Sequence, residues 1–267
     1  MRTFIRNIKT IVNILTPGQK FKFDDADKIE ITTSGSGSRL AILTQEGNIV
    51  DFGEEECILR KKKATDKVID CKGGCVIPGF VDAHTHPVWA GDRLHEFTLK
   101  NEILGVFDLE QSQRILEAGK NIGLEVNFHA DELSPLGGAE LAGRLKARAA
   151  SHLEEASPAG VAAMAASGTA AILLPTTAHL LRLRPPPARA ILQAGVPVAL
   201  GTDFNPNAFC LSMPIVMYLA CTMLAMTPEE ALVASTINAA YSLNMSDRVG
   251  AITVGRQADL VVLDCDR

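Results

Sequence analysis

The stretch CVIPGFVDAHTH, residues 75–86, is where the pattern of the chain changes. Before it, TIVNIL, RLAILT, NIVDFG and KVIDCKGG are short β-branched runs separated by Gly, Asn, Asp and Ser, which reads as strands joined by tight turns. SGSGS (34–38) is a loop tip within this region. After it, short apolar runs alternate with helical patterns. Strands are expected at 75–82, 124–128, 148–152, 170–174 and 197–201, and helices at 108–121, 137–147, 158–167, 186–194, 213–225 and 228–242. Thr227-Pro228-Glu229-Glu230 carries the cap and first-turn proline of a helix start. A βαβα rhythm implies parallel strands with crossover helices. The tail GAITVGRQADLVVLD returns to strand, turn and strand, and is expected to pair with the N-terminal β segment.

Composition narrows the class. The chain has 267 residues, 47% of them hydrophobic and 5% aromatic, which suits an Ala/Leu/Val-rich α/β protein with a sizeable core. Net charge is −5 with no basic face, so nucleic acid is not an expected partner. No run of ~18 apolar residues exists, so no membrane span is expected. The six cysteines form no CxxC pair, which reads as reduced thiols and a cytoplasmic location. Residues 1–23 hold five bases and no acid, weakly like a transit peptide, but KTIVNILT alternates as a strand does.

The chemistry gathers at strand ends. His84 and His86 are two residues apart, and a period of two puts both imidazoles on one face. Taken alone the pair fits two solvated loop histidines equally well. NFHADE, however, ends a strand in His129, Asp131 and Glu132, ASHLEE ends one in His152, and ALGTDFNPN ends one in Asp203. Each is ordinary singly, since a strand-end Asp often caps the next helix. In a parallel barrel these ends converge on one face, where catalytic groups collect.

Together, PGFVDAHTHPVWAGDR, NFHADEL, ASHLEE, ILLPTTA and LGTDFNPNAFC resemble the imidazolonepropionase family of the amidohydrolase superfamily, which acts in histidine breakdown. The resemblance implies that His84, His86, His129 and Asp203 hold one divalent metal, zinc or iron, with a position left for water. It implies hydrolysis of the cyclic amide of 4-imidazolone-5-propanoate to N-formimidoyl-L-glutamate. Asp203 would take the proton of the attacking water, and Glu132 and His152 would orient the ring, polarise the carbonyl and move protons. Arg93 would grip the propanoate, and Asn205 and Asn207 would contact ring or product. Arg93 as a surface ion pair and Asn205 as a turn residue remain the plainer alternatives. The superfamily also makes a homodimer an expected assembly.

The chain departs from that family in length. Between HEFTLK (95–100) and GVFDLEQSQRILEAGK (105–120) about three βα units are absent, and the tail stops short of the family's last strands. The expected fold is therefore α/β: an incomplete (β/α)8 TIM-type barrel at 76–247, plus a small composite β-sandwich built from residues 1–75 and 248–267. A ring missing three of eight units does not close with the usual geometry. Ligands from its first and middle strands are then expected not to face one another. Two other readings stay open: a related deaminase, and a shortened chain without activity.

Overall fold

The computed structural model describes residues 1–15, 19–22, 26, 28–88 and 108–264. Its N-terminal strands are β1 (Arg2–Ile8), β2 (Thr10–Asn13), β3 (Glu30–Thr33), β4 (Leu40–Gln45), β5 (Asn48–Glu54), β6 (Lys67–Asp70) and β7 (Cys75–Pro78), with a short helix α1 (Glu55–Leu59) after β5. They form two four-stranded sheets. One has the order β5-β4-β1-β6; the other is β12-β7-β2-β3, where β12 (Leu260–Leu263) comes from the far end of the chain and lies antiparallel on β7. Ile5, Ile8, Ile11, Leu40, Ile42, Val76 and Ile252 share one core between them, so both chain ends contribute to its burial. The expected pairing of the tail with the N-terminal strands is thus present. Among the described residues of the tail only β12 is a strand; Gln257 adds a single bridge to Asn48.

The second half alternates as expected. Its elements are α2 (Leu109–Asn121), β8 (Asn127–Ala130), α3 (Gly138–Leu145), β9 (Ala149–His152), α4 (Pro158–Ser167), β10 (Ala170–Leu173), α5 (Pro175–Leu181), α6 (Ala188–Gln193), β11 (Val198–Leu200), α7 (Met213–Met223), α8 (Pro228–Ala234) and α9 (Ile237–Ser242). The four strands make a parallel sheet in the order β11-β10-β9-β8. Helix starts follow their sequence signals. Asp108 and Gln111 close a capping box on α2, Thr227 and Glu230 close one on α8, and the Ser157 hydroxyl accepts from Gly160 N–H ahead of Pro158.

Three readings need correction, and several elements were not foreseen. The strand expected at 75–82 is divided: 75–78 belongs to the small sheet as β7. Past Pro78 one more bond reaches the tail, Gly79 N–H on Asp259 O at 2.7 Å, and Gly79 is pressed so closely there that a Cβ would sit 3.1 Å from the Asp259 backbone. The chain then crosses over and runs beside β11, with Ala83 N–H on Leu200 O at 3.3 Å and Asp203 N–H on His84 O at 2.8 Å. The strand expected at 124–128 falls at 127–130. The helix expected over 228–242 breaks at Thr236 (φ −132°, ψ −95°), whose hydroxyl donates to Leu232 O at 2.6 Å. Strands β1 and β3 and helices α1 and α5 were not expected.

Helices α3 and α4 touch through glycine. A Cβ on Gly143 would lie 2.6 Å from the Ala163 backbone carbon, and one on Gly160 would lie 2.6 Å from Ala139 Cβ. Gly143→Ala is expected to lower the unfolding free energy by about 1–3 kcal/mol through overpacking. That sign holds although alanine is the better helix former by about 1 kcal/mol. Urea midpoints check it.

Candidate metal centre

Five chain segments deliver side chains to one spot at the C-terminal ends of the parallel strands. The 81–86 segment brings His84 and His86, β8 brings His129, β9 brings His152, the turn after β8 brings Glu132, and the turn after β11 brings Asp203. His84 Nε2 lies 3.0 Å from His86 Nε2 and 3.1 Å from His129 Nε2. Asp203 Oδ1 is 3.2 Å from His86 Nε2 and 3.4 Å from His84 Nε2. The expectation that a shortened ring would part these residues is overturned. His86, His129 and Asp203 converge on His84 Nε2 because the segments that carry them, 81–86 beside β11 and the sheet β8 to β11, are all present.

The donor set fits a divalent cation. One His84 nitrogen faces two imidazole nitrogens and a carboxylate oxygen, and a single proton or lone pair cannot serve all three as hydrogen bonds. Separations of 3.0–3.4 Å are close to the ~3.3 Å edges of a tetrahedron with ~2.0–2.1 Å bonds. The electrostatics agree. Burial, then the neighbouring His152 and His84, push His129 down to about 3. Burial works against the Asp203 anion, but His84 and the Thr177 hydroxyl, which donates to Asp203 Oδ2, hold it down at about 2. Neutral imidazoles and an ionised carboxylate are the forms that bind metal.

His152 stands beside this cluster, its ring 4.8 Å from that of His129 and 2% of its side chain exposed. It lies between two carboxylates: Glu132 Oε2 is 3.8 Å from its Nε2 and Glu154 Oε2 is 3.8 Å from its Nδ1. Burial opposes its charge, yet Glu154, Glu132 and Asp203 together raise its pKa. Burial likewise raises Glu154.

The backbone bends to aim these groups. Asp131 (φ 49°), His152 (φ 79°), Leu153 (φ 71°) and Asp203 (φ 50°) are left-handed; the first three end strands or follow directly on them, and Asp203 lies in the turn after β11. Non-glycine residues hold such angles only where their surroundings over-determine them. Asp131, grouped in the sequence with the metal-compatible residues, has another task. Its carboxylate accepts from the N–H groups of Leu136, Gly138 and Ala139 at 2.8–3.0 Å and caps α3.

The remaining site expectations divide. Asn205 is taken up by its own loop: its amide donates to Asp203 O at 2.6 Å and its Oδ1 accepts from Asn207 and Ala208 N–H. That is a turn role. Asn207 is half-buried in the same loop. Arg93 lies outside the described residues. Sequence reasoning missed three positions. Asp82 accepts from Thr202 N–H at 2.9 Å and from its hydroxyl at 2.6 Å, which ties the two histidines to the Asp203 turn. Thr177 steadies Asp203, and Ser151 lies 2.9 Å from His84 Nδ1. Each stands inside a quoted motif, but nothing in those motifs shows which side chains meet. A cavity of about 270 Å³ is lined by Asp82, His84, His86, Asn127 and Leu243 among others, between the 81–86 segment and β8.

Residues 89–266 match the amidohydrolase family. The probable imidazolonepropionase of Xenopus tropicalis is 33% identical, the alignment covering all of this chain and 91% of that protein. Those of Homo sapiens and Dictyostelium discoideum are 33% and 35% identical, each over 98% of the chain and 92% of the relative. The chain belongs to the imidazolonepropionases of the amidohydrolase family. The alignment with the Xenopus protein runs over 397 positions against 267 residues here, so 130 of its positions face no residue of this imidazolonepropionase relative. That fits the absence of about three βα units of ~30–40 residues each. Among solved structures, a zinc-bound adenosine deaminase from Xanthomonas campestris superposes with a TM-score of 0.72 at 17% identity, over 98% of this chain and 84% of that one. E. coli guanine deaminase gives 0.67 at 16%, over 98% and 88%. These likenesses show the fold. Five cysteines among the described residues are free thiols, and no helix there is long and apolar enough to cross a membrane.

Proposed function

We propose that the protein hydrolyses the cyclic amide of 4-imidazolone-5-propanoate to N-formimidoyl-L-glutamate. The observation that carries this reading is the convergence on His84 Nε2 of His86 Nε2 at 3.0 Å, His129 Nε2 at 3.1 Å and Asp203 Oδ1 at 3.4 Å, in a chain of this family. These four would hold one divalent metal, zinc or iron, which would supply a water acidic enough to attack a carbonyl at neutral pH. Asp203, held by Thr177 through Oδ2, keeps Oδ1 turned to the centre to receive that water's proton. His152 presents Nε2 toward Glu132 at the cleft, where it would polarise the carbonyl and return a proton to the leaving nitrogen. Glu132 would accept from a ring N–H, Asn205 and Asn207 would offer amide and backbone contacts to the ring or product, and Arg93 would bind the propanoate.

In this reading the parallel unit, 76–247, is a (β/α)8 barrel without three of its units. Residues 1–75 and 248–267 form a composite β-sandwich. The partner is a small molecule and not nucleic acid, the location is cytoplasmic and the assembly is a homodimer. Metal-loaded protein should turn over imidazolone propanoate and leave guanine and cytosine untouched. Turnover of a base in place of imidazolone propanoate would reassign the chain to a deaminase, and no turnover of either by protein with one metal per chain would make it inactive.

The division of labour predicts a specific split. His152→Asn should lower kcat by about 10²–10⁴-fold, the usual range for a lost acid–base group. Its metal content should remain that of the parent. Steady-state kinetics beside metal analysis tests both halves, and loss of metal from this variant would move His152 into the ligand set.

A further inference from the structure

We propose that Ser151 is a positioning residue for His84, holding its ring with the proton on Nδ1 so that Nε2 offers a bare lone pair to the centre. The inference rests on the metal-site reading above and names a group that reading leaves without a role. Ser151 is completely buried in β9. Its Oγ is 2.9 Å from His84 Nδ1 and 3.3 Å from Asn127 Oδ1. A hydroxyl has one proton and two lone pairs. The Asn127 carbonyl oxygen only accepts, so the Ser151 proton goes to it. Ser151 then meets His84 as an acceptor, and Nδ1 must carry the ring proton.

The consequence lies on the other side of the ring. His84 Nε2 is the most crowded atom of the cluster, facing His86, His129 and Asp203 at once. With the opposite tautomer a proton would stand on Nε2, in the position a cation needs. Asn127 therefore orients Ser151, Ser151 orients His84, and the relay sets a ligand without touching the centre. Outer partners of metal-bound histidines typically change affinity 10–100-fold.

The test uses the whole chain, stripped of metal, at a pH where imidazole is neutral. Histidine ring nitrogen NMR reads the tautomer, and Zn²⁺ titration against a competing chelator reads affinity. In the parent, His84 should be Nδ1–H. Ser151→Ala should give a mixture of tautomers and weaken Zn²⁺ binding about 10–100-fold. Asn127→Leu should also mix the tautomers, whereas Asn127→Asp, which keeps an acceptor there, should restore the parent state. An Nε2–H ring in the parent overturns the proposal. So does a Ser151→Ala variant with parental zinc affinity, or one with weaker binding and an unmoved tautomer. If the parent binds no zinc, the proposed function fails, and the tautomer measurement still decides the role of Ser151.

Discussion

Asp203→Ala is expected to remove metal from the protein and to lower turnover at least about 10⁴-fold, since it deletes both a ligand and the proton acceptor. Asp203 is 3% exposed, and its carboxylate bridges two sides of the centre. Oδ1 lies within 3.4 Å of His84 and His86, and Oδ2 is held by Thr177. Without the anion three neutral imidazoles are left, and affinity for a hard or borderline divalent cation falls with the lost charge. The replacement is small and the turn is pinned independently by Asp82 and Thr202, so the fold should persist. Metal analysis, circular dichroism and kinetics on one preparation separate the effects. Retention of one metal per chain would remove Asp203 from the ligand set, and turnover within tenfold of the parent would remove it from catalysis as well.

How far the site was readable follows from what each signal encodes. The HxH pair and the strand-end His129, His152 and Asp203 are local patterns, and a parallel strand directs its end residues to one face whatever lies elsewhere. Their meeting needed no closed ring, because β8 to β11 form one sheet and the 81–86 segment runs beside β11. Asp131 and Asp203 are indistinguishable as strand-end acids in the sequence. Only the backbone after each decides that one caps α3 and the other turns to the centre. Helix α5 was hidden because LLPTTAHLL is apolar enough to pass for the end of β10, although Pro175 marks its first turn. Strand β3 has four exposed residues, so no alternation announces it. The tether from Asp82 to Thr202 joins residues 120 positions apart, and no spacing in the sequence records it.

Gly201→Ala is expected to destabilise the protein by about 3 kcal/mol through overpacking and to weaken metal binding at the same time. Gly201 follows β11 directly and lies under the histidine segment. A Cβ there would sit 2.8 Å from both His84 N and His84 Cβ, and 2.9 Å from His84 O. Two of those atoms are backbone. One of them, His84 O, is already engaged by Asp203 N–H, so no flexible side chain can yield. Relief requires the two segments to separate, and they carry three of the four ligand residues between them: His84 and His86 on one, Asp203 on the other. A site tolerates ~0.5 Å of misplacement, less than this clash demands. Gly119→Ala in α2 makes the opposite case with the same chemical change. Its Cβ would meet only Leu124 Cδ1, at 3.8 Å, and the helix should gain about 0.5–1 kcal/mol. Urea midpoints and zinc titration on both variants decide the matter. A Gly201→Ala variant that keeps the parental midpoint and zinc affinity would mean that the His84 backbone does not rest on Gly201, and the centre would then have to be held together by other contacts.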